Sequence, residues 1–173
     1  MSEEKFERER QFLKQLQKLN AAEQAALKTW AERPGEADVA AFDAFIAAHR
    51  SVGRSRLRRD ACRLVAMLYF WHPKPGGHGN LADALLRVAR RGRTERYNRY
   101  ERVLTELLAA PFAGLHRPLF SVVQLVASGN VRIDWPQLLH DLCKWDRPDR
   151  DDEPSVQSKW AKSWLQTGDD DVD

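Results

Sequence analysis

Few residues in this chain could do chemistry, and they are scattered. His140-Asp141 is the dipeptide used by metal-dependent phosphohydrolases. A metal there would need further His and Asp ligands at compatible helical positions, and only His116 offers itself. The pair is therefore expected to be a capped, exposed feature of a helix. His72 and His78 have no cysteine or carboxylate neighbours to complete a metal site. Gly76-Gly77-His78-Gly79 follows a helical pattern rather than a strand and lacks the Lys-Ser/Thr of a phosphate loop, so its glycines are expected to supply flexibility. Walker, dinucleotide and zinc-helix patterns are missing. Cys62 and Cys143 fall in apolar helical patterns and read as small buried hydrophobes. The carboxylates gather in the Asp146–Glu153 linker and the tail without an acid/base pair. The expectation is a non-enzyme without cofactor or metal.

The remaining chemistry is cationic. The 173 residues carry a formal charge of +3, but it is segregated. Residues 49–102 hold fourteen Lys/Arg against four Asp/Glu, whereas 1–48 hold seven against nine and 103–173 seven against twelve. All but one of the fourteen cations are arginine, whose planar fork suits bidentate phosphate contact. A solvated helical face is the ordinary explanation of a charge run, and cations near a helix C-terminus, such as Arg90 and Arg91, complement its dipole. Segregation of this strength, with arginine so preferred, points instead to a polyanionic partner.

The elements that must carry these arginines read as helix after helix. Phe12, Leu13, Leu16 and Leu19 mark the first. Asn20, with Glu23 three residues on, caps the second, which Pro34-Gly35 stops. Asp38 opens the third, with Val39, Phe42, Phe45 and Ile46 as its apolar positions. Ser55 caps the fourth, running to about Trp71. After the His72–Gly79 loop, Asn80 caps the fifth and Thr94 the sixth. The seventh runs from about Gly114 or Pro118 to Gly129, the eighth starts at Asp134-Trp135-Pro136, and the last holds Trp160 and Trp164, which anchor it to its lobe. Val131-Arg132-Ile133 is too short to be more than a connector. The expected fold is all-α, about nine helices in two small bundles: an N-terminal lobe over 1–72, a loop over 73–79, a C-terminal lobe over 80–166 and an acidic disordered tail over 167–173. On a helical wheel Arg56, Arg59 and Arg63 share the face opposite the fourth helix's apolar stripe, while Arg87, Arg90, Arg91 and Arg99 lie off their stripes and Arg96 borders one. Tyr97 and Tyr100 keep the core register. The charged N-terminus lacks the apolar segment of a secretory signal, and no apolar run reaches the ~20 residues of a membrane span, so a cytoplasmic chain without membrane contact is expected.

The order of motifs resembles a known family. Asn20-Ala21-Ala22-Glu23-Gln24-Ala25-Ala26-Leu27 is followed by Gly92-Arg93-Thr94-Glu95-Arg96-Tyr97 and then Leu107-Leu108-Ala109-Ala110. Next come Leu119-Phe120-Ser121-Val122-Val123-Gln124-Leu125-Val126, Ile133-Asp134-Trp135, Leu138-Leu139-x-Asp141-Leu142-x-x-Trp145 and Trp160-Ala161. Over nearly its whole length the chain is similar to CasB, the small subunit of the type I-E CRISPR surveillance complex Cascade. The resemblance implies a two-lobed, non-catalytic helical protein of antiviral defence. Two copies would pair head to tail among the other Cascade subunits. They would help to hold the CRISPR RNA–target DNA region and the displaced strand of the R-loop. The residues expected to contact nucleic-acid backbone are Arg56, Arg59, Arg63, Arg87, Arg90, Arg91, Arg93, Arg96 and Arg99. The alternatives are a helical scaffold whose basic face meets an acidic protein, and a small metal-dependent nuclease built on His140 and Asp141.

Overall fold

The computed structural model describes residues 5–50, 52, 57–92 and 94–166. The fold is all-α. The described residues form nine α-helices: α1 (Glu7–Gln17), α2 (Ala21–Glu32), α3 (Val39–Arg50), α4 (Arg59–Tyr69), α5 (Leu81–Arg90), α6 (Thr94–Ala109), α7 (His116–Ser128), α8 (Trp135–Cys143) and α9 (Val156–Leu165). A single 3-10 turn, Phe112–Gly114, precedes α7.

Local polar chemistry sets four of the starts. Asn20 and Glu23 exchange bonds in a capping box, the Glu23 amide donating to Asn20 Oδ1 at 2.8 Å and the Asn20 amide to Glu23 Oε1 at 3.1 Å. Asn80 and Asp83 repeat the device at α5. Asp38 accepts the Ala41 amide at 2.9 Å and Ser155 that of Ser158 at 3.1 Å. Each such cap is worth about 1 kcal/mol. The cap expected at Ser55 lies outside the described residues, and α4 begins only at Arg59. Thr94 is the first residue of α6 rather than its cap.

The chain divides into two compact units. One holds α1–α4 together with α8, and the other α5–α7 with α9, the changeovers falling after Pro73, Asp134 and Cys143. A division by sequence order places α8 in the C-terminal lobe; it packs instead on α1 and α4 of the first unit. The reason lies in α4. Ala61, Cys62 and every residue from Leu64 to Tyr69 are buried, so α4 is covered nearly all round and needs more partners than α2 and α3 provide. Trp135, Leu138, Leu139 and Leu142 of α8 supply the missing layer.

Helix α3 departs from its expected register. Its buried face is Ala41, Ala44, Phe45 and Ala48, while Val39 and Phe42 are 72% and 46% exposed. The alanine face packs against α2, where short side chains allow close helix approach. In the second unit Trp145 and Trp160 meet edge to face at 5.3 Å, and Trp145 Nε1 donates to the Ala110 carbonyl at 2.9 Å. Trp160 and Trp164 of α9 are both buried, and Trp164 Nε1 donates to Glu101 Oε2 at 3.2 Å.

The glycine loop is built, not merely flexible. Gly76 and Gly79 have φ of 91° and 81°, where a side chain is strained. Gly77 lies so close to the backbone of Ile133 and Asp134 that an added Cβ would collide with it. Replacing Gly77 by alanine is expected to cost about 1–3 kcal/mol, because two backbones cannot move aside as a side chain can. Gly35→Ala, with nothing within 4 Å of the new Cβ, is the control and leaves the melting temperature unchanged. Thermal unfolding followed by circular dichroism compares the two.

Candidate nucleic-acid interface

The first unit carries its exposed arginines on α4. Arg59 and Arg63 are exposed one turn apart. Arg63 lies over the Trp30 ring, 5.7 Å from its centroid, and Lys28 of α2 lies 4.7 Å over Trp71. Stacking occupies the face of a guanidinium and leaves its N–H edge for a second partner. Arg58 is spent on structure: it forks onto Asp60 at 2.8 and 3.0 Å. The local field registers on His49, whose pKa is lowered first by burial and then by the Arg59 charge. Arg56 lies outside the described residues.

In the second unit Arg90, Arg91, Arg96 and Arg99 are exposed or half-exposed at the surface and Arg87 is half-buried. Arg93 lies outside the described residues. Arg87 donates to the His78 carbonyl at 3.1 Å and Arg91 to the Gly129 carbonyl at 3.0 Å. Two further cations join this rim: Lys74 donates to Asn130 Oδ1 at 2.7 Å, and the Arg132 guanidinium rests against Gly76. Lys74 is the one lysine of the cationic third, whereas Arg132 lies far along the chain from the arginine-rich helices. The signal that could have found Arg132 is the alternation of the connector, which buries Val131 and Ile133 and turns Arg132 outward. The turn itself depends on Gly129, where a Cβ would sit 2.6 Å from both Val88 methyls, and on Asn130 at φ 54°.

Electrostatically, most acids of the cationic third are committed. Asp60 holds Arg58 and the Ala61 amide, Asp83 closes the α5 capping box, and Glu101 accepts from Trp164. Arg87, Arg91 and Lys74 donate to neutral carbonyl groups. Such bonds orient a cation without cancelling its charge. Both units therefore present oriented cations.

The residues considered for catalysis are otherwise engaged. His140 and Asp141 are not an exposed pair. Asp141 is buried and accepts from Gln137 Nε2 at 2.8 Å, while His140 Nδ1 meets Glu9 Oε1 at 3.0 Å and its ring lies 4.8 Å from that of Phe6. They turn inward because α8 is packed against α1. His116 belongs to the second unit. Among the described residues no group of three His, Cys, Asp or Glu is placed to hold a metal ion. Burial pushes both the Cys62 and Cys143 thiols up, away from reactive thiolate. Burial also raises the Glu9 pKa, but the bond to His140 and the backbone outweigh it and leave the group lowered.

Glu9 thus stabilises the fold while ionised. Its contribution is full above the ordinary carboxylate range near 4.5 and is lost as pH falls through the lowered native value. Glu9→Gln is expected to flatten the acid limb of the stability–pH curve. His140→Ala is expected to cost about 1–3 kcal/mol by orphaning a buried carboxylate. Denaturant melts from about pH 3 to 7 span that carboxylate range and measure both. Labelled DNA or RNA incubated with manganese is expected to show no cleavage that depends on His140.

Comparison with known proteins accords with this geometry. Residues 23–164 match the model of the CRISPR-associated protein Cse2 family. Curated sequences yield no match. Among solved structures, a CRISPR-associated protein of the Cse2 family from Thermus thermophilus is similar at a TM-score of 0.68 and 27% identity, covering 90% of this chain and 96% of that one. CasB from M. ruber gives 0.68 and 25% over 92% and 93%, and a structure described as CasB from Thermus thermophilus gives 0.65 and 28% over 92% and 96%. With matching helices along nearly the whole length and a family match over most of it, the chain belongs to the Cse2 family of CRISPR-associated proteins.

Proposed function

We propose that this protein is the non-catalytic small subunit of a type I-E Cascade complex and holds nucleic acid by its backbone. The observation that carries this is the commitment of Asp60, Asp83 and Glu101 to structural bonds, which withholds those carboxylates from the exposed arginines around them. Arg59 and Arg63 on one unit, and Arg87, Arg90, Arg91, Arg96 and Arg99 on the other, supply phosphate contacts, with Lys74 and Arg132 added to the second set. Arg56 and Arg93 are assigned the same role from sequence. Phosphate contacts fix position without reading bases, so the guide–target region and the displaced strand of an R-loop are held irrespective of sequence. Membership of the Cse2 family supports Cascade as the setting, with other Cascade subunits and a second copy as neighbours. Val39 and Phe42, exposed on α3, favour a protein neighbour on that face. Among the described residues no helix is long and apolar enough to cross a membrane.

The free protein is expected to bind single- and double-stranded nucleic acid without base preference. About six phosphate contacts would give a log–log salt slope near −4 to −5, at ~0.7 released ions per phosphate on single strands and ~0.9 on duplex. Charge reversal at Arg59 and Arg63 should lower affinity by tenfold or more and flatten the slope by about one per residue, with the circular dichroism spectrum unchanged. A slope near zero would leave the scaffold reading standing. Fluorescence anisotropy of labelled oligonucleotides across a salt series provides the measurement.

A further inference from the structure

A second cationic feature belongs to a segment outside the arginine-rich helices, one that reads as acidic in sequence. Between Lys144 and the first turn of α9 the chain shapes a cavity of about 160 Å³. That is well above the ~10–15 Å³ needed to hold one water. Lys144, Arg147, Arg150 and Lys159 line it, with Glu153 as the one acidic residue on its wall. Lys144 pairs with Glu153 at 3.2 Å. The Glu153 carboxyl is held below its ordinary value, first by the Lys144 bond and charge, with lesser pulls from Lys159 and Arg147. Glu153 is thus shared among the cations of the wall, and one carboxylate cannot neutralise four of them.

The neighbouring acids lie outside the lining. Asp149 is bound to the helix start, accepting the Ser155 amide at 2.6 Å and the Ser158 hydroxyl at 2.8 Å, and these bonds lower its pKa. Asp151 and Asp152 are exposed and stand off the cavity wall. Ser155 and Val156 bring the start of ten-residue α9, already capped by Asp149 and Ser155, to the same wall. Two arginine forks and a lysine on the wall of a small cavity match an oxyanion in charge.

We propose that this cavity is a seat for one phosphoryl group, distinct from the arginine surfaces on α4, α5 and α6. The group is either an internal phosphodiester or a terminal phosphate of a nucleic acid. The idea extends the proposed nucleic-acid role but does not require it, since the pocket's chemistry stands on its own.

The test uses the full chain, labelled with nitrogen-15, titrated at constant ionic strength with inorganic phosphate, a 5′-phosphorylated oligothymidine and its 5′-hydroxyl counterpart. Inorganic phosphate is expected to shift the Val156–Lys159 amides and the Arg147 and Arg150 side-chain N–H signals saturably. Arg147→Gln/Arg150→Gln should weaken that binding tenfold or more while the melting temperature holds, and Lys159→Gln alone should weaken it by less. Shifts from the 5′-phosphorylated strand alone would identify a terminal phosphate, and shifts from both strands an internal one; either result upholds the seat. If phosphate leaves this segment unperturbed, or the double variant titrates like the parent, the seat is overturned even if oligonucleotides still bind elsewhere with the expected salt slope. If phosphate titrates the segment but neither oligonucleotide binds, the seat stands and the nucleic-acid function fails.

Discussion

The hydrogen bond from Trp135 Nε1 to the His72 carbonyl, 2.9 Å long and buried, marks the constraint on which this architecture depends. His72 is where the chain leaves the first unit, and Trp135 is where it returns after the long excursion through the second. A buried carbonyl or indole N–H left without its partner costs about 1–3 kcal/mol, so the two ends of the excursion are held together in a dry environment. Tyr69 packs edge-on against the same indole at 5.4 Å and accepts from Gln17 at 2.9 Å, tying α1 and α4 to the junction. Gly77 and the Ile133–Asp134 backbone make the corresponding close approach within the second unit. A long loop closed this way costs chain entropy that grows only slowly with its length, so a few well-placed contacts are enough.

The electrostatics follow from how the polar residues are used. Carboxylates in the cationic third close caps and brace a helix start, while Arg87 and Arg91 are steered by neutral carbonyls. The same economy recurs around α9, where Asp149 caps the helix and Glu153 takes Lys144. In both places a short acid satisfies backbone donors and long cations are left to reach outward. Net charge alone conceals this: the last third of the chain is acidic in sum and still presents a cationic cavity.

Much of the local structure was legible because it is local. Asn20, Asp38 and Asn80 announce helix starts through their own side chains, and the Trp160–Trp164 spacing announces the buried face of α9. The outward direction of Arg59, Arg63, Arg90, Arg91 and Arg99 followed from the apolar stripes of their helices. The misses share one cause. On α3 the larger Val39 and Phe42 outrank alanine on any hydrophobic scale, yet the neighbouring helix selected the alanine face for close approach. His140-Asp141 looked like an exposed pair because Glu9, the partner that His140 meets, is 131 residues away.

From the sequence alone came the all-α class, the caps, the charge segregation and the family motifs, each set by residues within one or two helical turns or by their order. Only the tertiary structure decided which bundle α8 completes, that Gly77 and Gly129 are demanded by crowding, and that Arg132 belongs with the arginines. It also placed Lys144, Arg147, Arg150 and Lys159 around one cavity beside α9. These outcomes rest on contacts between segments far apart in the chain, and such contacts are chosen by the shape and burial of the whole unit, which no periodicity within a helix encodes.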